Sequence, residues 1–445
     1  MKFKQNMNQP NSDIFDVAII GGGPAGATAA AFLAERGRRV LVLEKSSHPR
    51  FHIGESLLPK NLPILERLGV LDEVKAIGIY KPGAVFVSPD HEHHQGFRFS
   101  EALDPDPPHA YQVHRAEFDE ILLRNARKGG SDVRENSVVT DVRFGDTLHT
   151  VTYRHDDRDL TCEARFIIDA TGRDGFLARR MDVRHQNKDH NSAAIFAHFE
   201  GIPEDALDPA GSIGLFWFDH GWIWMIPLTN GKTSIGAVCM PDHLKSRRGG
   251  LEEFYFDTIR LCPKMWDIVK DAKLGTPVRA AGNYSYKASR AYGPGYLLLG
   301  DSYAFVDPVF SSGVFLAMSS AERAVAIIDQ VLDQPERANR LFARYKRQID
   351  RGITRFSWFI YRFNTPALRY LFMGPRNTFG MRQAVISMLA GDVYVNRGIG
   401  WRLALFRIVY GIFWLVEFRK SLKFDERRTR LSSISVPENE VAKQP

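Results

Sequence analysis

Residues 14–45 read IFDVAIIGGGPAGATAAAFLAERGRRVLVLEK, and each part of that string has a mechanical job in a dinucleotide-binding α/β unit. The β-branched run Val17–Ile20 predicts a buried strand, and Val40–Leu43 a second one parallel to it. Between them lies Gly21-x-Gly23-x-x-Gly26, followed by a helix of small residues. Gly21 permits the tight turn, and Gly23 lets backbone approach a pyrophosphate. Gly26 and Ala30 let helix and strand pack closely. Glu44, 18 residues past Gly26, can accept hydrogen bonds from a ribose. The motif specifies a dinucleotide without separating FAD from NAD.

Later features decide for FAD. Asp169-Ala-Thr-Gly172-Arg follows the apolar strand Phe166–Ile168, and Gly300–Asp301 follows Tyr296–Leu299. A carboxylate at Asp301 can bind a ribityl hydroxyl, which NAD lacks. No second G-x-G-x-x-G appears, so a separate NAD(P)H domain is not expected.

Phe305–Gly313, FVDPVFSSG, opens onto the apolar helical run VFLAMSSAERAVAII. A Ser-Ser-Gly turn at a helix start offers unpaired N–H groups and the positive end of the helix dipole, a ready anion site. Phe51–Pro59, FHIGESLLP, places a Gly-Glu-Ser turn where a loop can pass over a flavin. In Gly221–Leu228, GWIWMIPL, Trp222, Trp224 and Ile226 alternate and project from one strand face. Each has a plain structural reading as well: a last flavin turn, a dipole-stabilised acid, a packed sheet face.

Taken together, over roughly residues 14–345, these strings resemble the flavin-dependent halogenases, within the flavoprotein group of aromatic hydroxylases and geranylgeranyl reductases. The F-x-x-P-x-x-S-x-G and Trp-x-Trp-x-Ile-Pro patterns are the family's hallmarks. The resemblance implies an FAD-binding Rossmann-like domain of the glutathione-reductase type, an inserted β-sheet substrate domain and a C-terminal helical region. Its expected division is 1–84, 111–184 and 284–345 for the FAD domain, 85–110 and 185–283 for the substrate sheet, and 346–445 for a helical cap. Carried over residue by residue, it assigns cofactor contacts to Gly21, Gly23, Ala25, Gly26, Glu44, Lys45, Glu55, Ser56, Arg115, Asp169, Gly172, Asp301, Pro308 and Gly313. Arg115 opens the helix HRAEFDEILLRNA and would lie near the flavin's phosphate or ribityl part. Halide falls to Ser311, Ser312 and Gly313, and no metal is expected.

By position, Lys81 in GIYKPGAVF matches the family's catalytic lysine, which holds or captures hypohalous acid; Trp222, Trp224 and Pro227 keep the organic substrate off the ring. The implied reaction uses reduced FAD, O2 and chloride or bromide to halogenate an electron-rich aromatic, pyrrole or aryl-polyene. The implied partners are a separate NAD(P)H-dependent flavin reductase and an acidic acyl carrier protein bearing the substrate. One position departs. Halogenases of free tryptophan carry a glutamate where this chain has Phe310, which disfavours a carboxylate-assisted mechanism and that substrate. An aromatic hydroxylase needs substrate at the flavin, and a double-bond reductase needs hydride access; the tryptophan strand obstructs both.

The net charge of +7 suits a phosphorylated cofactor, an acidic carrier or a lipid surface, while the scatter of basic residues argues against nucleic acid. Three isolated cysteines and an N-terminus lacking an apolar core point to a cytoplasmic chain. Near the C-terminus, WRLALFRIVYGIFWLVEF (401–418) is nearly apolar and is followed by the basic run 419–430. Its arginines leave nine uninterrupted apolar residues, too few to span a bilayer. The expected role is a cavity cap, with peripheral contact at the inner membrane as the second reading.

Overall fold

A computed structural model describes residues 14–432 except 91, 188–191, 283–284, 375 and 395. The N-terminal residues 1–13 and the boundary expected at 283/284 lie outside the described residues. The chain visits one parallel sheet three times. It enters with β1 (Ile14–Ile20), α1 (Pro24–Glu35) and β2 (Val40–Leu43). It leaves through β3 (Gly78–Lys81), β4 (Gly83–Val87), β5 (His94–Arg98) and β6 (Ala110–Val113), then returns along α2 (Arg115–Lys128) to β7 (Asp132–Arg134) and β8 (Arg158–Asp169). A second excursion builds β9 (Ala193–Glu200), β10 (Ile213–Phe218), β11 (Gly221–Leu228), β12 (Lys232–Cys239) and α3 (Leu251–Arg260). The last return gives β13 (Tyr296–Leu298) and α4 (Ser312–Asp333), followed by α5 (Ala338–Ile360). The chain ends in α6 (Pro366–Met373), α7 (Met381–Leu389), α8 (Arg397–Val416) and α9 (Phe418–Ser432).

In the first sheet the order β13-β8-β1-β2-β7 is parallel throughout. Its strands are covered on both faces, as their continuous Val/Ile/Leu runs require. The register Ile20↔Asp169 and Asp169↔Leu298 brings the carboxyl ends of β1, β8 and β13 to one edge. Ligands of such sheets bind there.

The second sheet runs β9-β12-β11-β10-β4-β5, antiparallel except for the parallel pair β10 and β4. The expected boundary at 84/85 therefore falls inside β4. Period-two alternation divides this sheet's faces between two cores. Trp222, Trp224 and Ile226 join the main core, which includes α4, α5 and the C-terminal helices. Ile223 and Met225 face a separate core under α3. Outside both sheets, β3 and β6 form a ribbon, with Lys81 opposite Ala110.

Leu389 of α7 reaches the cavity described below, and among the described residues of α8 none lines it. Gly398–Val416 (19 residues, mean hydropathy 1.5) passes for a membrane span by length and composition, because the apolar majority outweighs the interrupting arginines. Yet Leu403, Phe406 and Tyr410 belong to the main core, so α8 lies along the protein.

Candidate active site

The dinucleotide crevice is shaped by close backbone approach. A Cβ on Gly26 would fall 1.9 Å from the Gly21 carbonyl oxygen, and one on Gly21 (φ +102°) 2.5 Å from that of Ala170. Neither glycine tolerates a side chain. Gly23 caps α1 with Pro24 in its first turn and no acidic residue there, so the helix end keeps its positive field at Ala25 and Gly26. Glu44 is buried; its two oxygens accept from the Gly22 N–H (2.6 Å) and the Ser46 N–H (3.0 Å). Both bonds fix the carboxylate beside the glycine turn and leave lone pairs for a ribose.

Arg50 was not anticipated from the sequence. Its guanidinium stands 3.7 Å from Glu44, 3.6 Å from Asp119 and 3.7 Å from where a Gly23 Cβ would be. A cation with no close partner in those contacts, beside a helix N-terminus, fits a pyrophosphate. Its signal was weak, a lone arginine at the start of the FHIGESLLP string. Asp301, on a turn where Gly300 packs beneath Ala317 of α4 and Ala25 of α1, completes the crevice. Burial pushes its carboxyl up to about 6, while Arg173 and Arg115 pull it back. Glycine turn, helix end, Arg50, Glu44 and Asp301 together fit FAD.

Four assigned contacts are placed otherwise. Asp169 accepts from Thr171 N–H (3.0 Å), Thr171 Oγ1 (2.6 Å) and Leu177 N–H (2.7 Å), so its carboxylate builds the turn after β8 instead of facing a ligand. Gly172, in that turn, has φ +61° with open space where a Cβ would project. Lys45 pairs with Asp174 (2.6 Å) in a largely exposed bridge. Arg115 grips Asp119 with two bonds (2.8 and 3.0 Å) and donates to the Ile53 and Gly54 carbonyls (2.9 and 3.3 Å). It holds the Gly-Glu-Ser turn in place, and its charge reaches Asp301 from there.

That turn divides two environments. Glu55 points toward the substrate sheet, where its Oε1 is 2.8 Å from His198 Nε2 in poor alignment and its buried Oε2 has no partner. Ser56 points the other way and accepts from Lys81. The Lys81 ammonium is fully buried and donates to Ser56 Oγ and the Leu57 carbonyl, 2.8 Å each. The Phe99 ring centre lies 5.3 Å away. Burial alone draws its pKa from the ordinary lysine value down to about 7.

Lys81 and Ser311 line one cavity with Phe86, Phe99, Leu215 and Phe310 among its apolar walls. Its free volume of about 10 Å³ has room for roughly one water or one halide ion. Among the described residues no carboxylate lines it, and Phe310 forms part of its wall. Ser311 adopts φ +55°, a left-handed conformation costly for serine, and starts α4 without capping it by its side chain. The N–H groups of Ser312 and Gly313 in the first turn thus remain for an anion. Ser312 is buried, and a Cβ on Gly313 would meet open space. Pro308 begins the preceding 3-10 turn, which Asp307 caps by accepting from Val309 N–H at 3.0 Å.

The tryptophans form a layer between crevice and cavity. Trp224 contacts Phe196 (5.9 Å between ring centres), which stacks on Phe51 beside Arg50 (6.3 Å). Trp222 meets Phe363 (6.0 Å), which packs on Phe310 of the cavity wall (5.6 Å). Trp224 also donates to Ser234 Oγ at 3.2 Å and sits over Gly236, where a Cβ would lie 2.2 Å from the indole. Pro227 lies buried on the same strand, opposite Thr233.

Comparison with known proteins agrees with this geometry. The tryptophan halogenase family profile matches residues 104–367, and that of the NAD(P)-binding Rossmann-like domain matches 19–61. A 1H-pyrrole-2-carbonyl-[peptidyl-carrier protein] chlorinase of Pseudomonas fluorescens is 31% identical over 86% of this chain and 90% of its own. Among solved structures, a flavoprotein/dehydrogenase from Cytophaga hutchinsonii superposes with a TM-score of 0.84 at 30% identity, covering 91% of this chain and all of that one. The myxobacterial chondrochloren halogenase gives 0.74 at 31%, covering 96% and 99%. An FAD crevice joined through a tryptophan layer to a lysine cavity, on a chain this similar, makes the protein a member of the FAD-dependent halogenase family.

Proposed function

We propose that this halogenase oxidises chloride or bromide to hypohalous acid and delivers it to an electron-rich ring carried by an acyl carrier protein. FAD, when bound in reduced form, supplies two electrons; with two from the halide they reduce O2, giving one hypohalous acid and one water per turnover. Arg50, the α1 terminus, Glu44 and Asp301 hold the dinucleotide. Ser312 and Gly313 present N–H groups to the halide at the α4 start. The Trp222–Trp224 layer keeps the organic substrate on the far side.

A lysine near pKa 7, buried in a cavity shared with Ser311, is the observation that carries the reading. As ammonium it donates a hydrogen bond to hypohalous acid; as free amine it can take the halogen and release water. The carrier is supported by the pyrrolyl-carrier chlorinase relative and by the net positive charge. A separate NAD(P)H-dependent reductase in the cytoplasm supplies the reduced flavin.

The test is incubation of the holoenzyme with a flavin reductase, NADH, halide and a panel of free and carrier-bound pyrroles and phenols, read by mass spectrometry. A chlorine or bromine isotope pattern on carrier-bound product is expected. A gain of one oxygen would make the enzyme a hydroxylase, and halogenation of free tryptophan alone would overturn the carrier assignment.

A further inference from the structure

The outer side of the C-terminal helices is apolar where a soluble surface is ordinarily polar. Trp401, Ile408, Ile412, Leu415 and Val416 of α8 are 50% to 73% exposed. At 100° per residue they fall within an arc of about 120°, a stripe roughly 22 Å long. Opposite them, Leu403, Phe406 and Tyr410 are buried in the main core. The helix is therefore apolar on two sides, and burial in the protein accounts for only one.

Two sets of contacts tie the helical arm to the rest of the protein. Arg427 of α9 binds Asp242 (2.7 Å), the Asp219 carbonyl (3.1 Å) and His220 (3.0 Å), which clamps the end of the helical arm to the substrate sheet. At the other end Arg402 lies over Trp401 (4.4 Å) and donates to the Phe379 carbonyl (3.0 Å). Phe379 itself has φ +53° and is 70% exposed. A bulky residue held in left-handed backbone with its ring in the open costs stability twice, and such strain persists where the ring has work outside the fold.

We infer that this face is a membrane-docking surface, in which Phe379, Trp401 and the Ile408–Val416 stripe enter the headgroup–acyl boundary of an anionic bilayer. Aromatics at the leading edge, an aliphatic stripe and nearby cations are the chemistry of an interfacial helix. The cations come from α9, where Arg419 and Lys423 are exposed, each next in the chain to an exposed apolar residue, Phe418 and Leu422. Phe418 and Leu422 lie opposite the Arg427 clamp around the helix, and headgroups that meet them would meet these cations as well. The arm lies along the surface instead of crossing it, because its inner side remains in the core. This inference does not depend on the halogenase chemistry.

The test is flotation of the full-length FAD-loaded protein with phosphatidylcholine vesicles, with and without phosphatidylglycerol. The wild type should float with the anionic vesicles. The pair Ile408→Gln and Ile412→Gln should lower partitioning by roughly tenfold, since burying even about two methylenes is worth that factor. Arg419→Gln with Lys423→Gln should abolish the difference between the two lipids. Phe379→Gly relieves the backbone strain, so it should keep or raise thermal stability while weakening vesicle binding. Flavin content and melting temperature verify folding in each case. Failure of the wild type to float, or flotation indifferent to the isoleucine pair, would overturn the proposal. So would a wild-type dimer that the isoleucine pair turns monomeric without any vesicle binding, or loss of carrier-protein binding in that pair without any.

Discussion

Lys81 Nζ donates to Ser56 Oγ at 2.8 Å, and Ser56 belongs to the turn that Arg115 clamps beside the dinucleotide crevice. The proposed halogen-delivering lysine and the cofactor loop are therefore one hydrogen-bonded unit. Ordering of residues 51–56 by FAD would be felt at the lysine through Ser56, and the Leu57 carbonyl leaves the ammonium few alternative positions.

Removal of the lysine should separate halide oxidation from product formation. Lys81→Ala is expected to retain FAD and to consume O2 with reduced flavin, because the side chain lies in the Phe310–Ser311 cavity and outside the crevice. Halogenated product should fall by about 10²–10⁴, the usual worth of such a group. Lys81→Arg should fail as well, since a permanently charged fork cannot take halogen. Product formation near the wild-type rate in Lys81→Ala, measured by mass spectrometry, would sink the assignment.

Burial of Lys81 without a carboxylate sets a pH signature. With the folded-state pKa near 7, the free amine is the major form above that value. A step that needs the amine should gain rate as pH rises through about 7. Phe310→Glu would place an acid on the same wall and stabilise the ammonium, moving that limb to higher pH. Stability follows the opposite assignment of states. The folded pKa is depressed below the ordinary 10.5, so the unfolded chain binds the extra proton between the two values and stability rises with pH across that window. Below about pH 7 the desolvation cost is fully present; above the unfolded pKa it is gone. Lys81→Met should hence raise the melting temperature most near pH 6, and the gain should shrink toward pH 10.

Much of this was legible in the sequence because it rests on local chain mechanics. The glycine turn, the strand ending at Glu44 and the tryptophan alternation each follow from spacing, and the structure shows the contacts that enforce them: 1.9 Å at Gly26 and a shared core for Trp222, Trp224 and Ile226. What spacing could not show is where a carboxylate or guanidinium points. Asp169 and Arg115 lie at the crevice but are engaged with their own turns, and Lys45 turns to Asp174. Arg50 is the converse: no periodicity marks it, and only the fold brings it between Glu44, Asp119 and Gly23. The outward stripe of α8 was hidden for a similar reason. Apolar residues on both sides of a helix erase the amphipathic pattern, so sequence alone put a cavity cap first and a membrane-surface helix second.

Cofactor retention should depend on Arg50 in a graded way and on Gly23 absolutely. Gly23→Val puts branched carbons toward the Arg50 guanidinium and across the pyrophosphate path, so the protein should purify without flavin colour. Arg50→Gln removes one cation from the anion site and should weaken FAD by about 1.5–3 kcal/mol, the range for a charge-assisted bond. Titration of the apoprotein with FAD measures both. Unchanged affinity in Arg50→Gln would leave Arg50 as a brace for Glu44 and Asp119 only.

The orientation of Trp224 can be tested without deleting it. Its ring lies against Gly236 on the neighbouring strand, where an added Cβ would come within 2.2 Å of the indole and 2.6 Å of Phe196 Cβ. Gly236→Ala therefore forces the indole to tilt off the layer while keeping its bulk, at an overpacking cost of about 1–3 kcal/mol. Trp224→Ala instead opens the layer between Phe196 and Trp222. If the layer confines hypohalous acid on its way to Lys81, both variants should still bind FAD and oxidise reduced flavin. Both should release acid that a soluble phenolic trap intercepts, and yield of the native product should fall in step with the trapped fraction. Should Gly236→Ala lose stability yet keep its product yield with nothing trapped, the tryptophans would be sheet packing alone, and confinement of the acid would have to come from the cavity walls around Phe310.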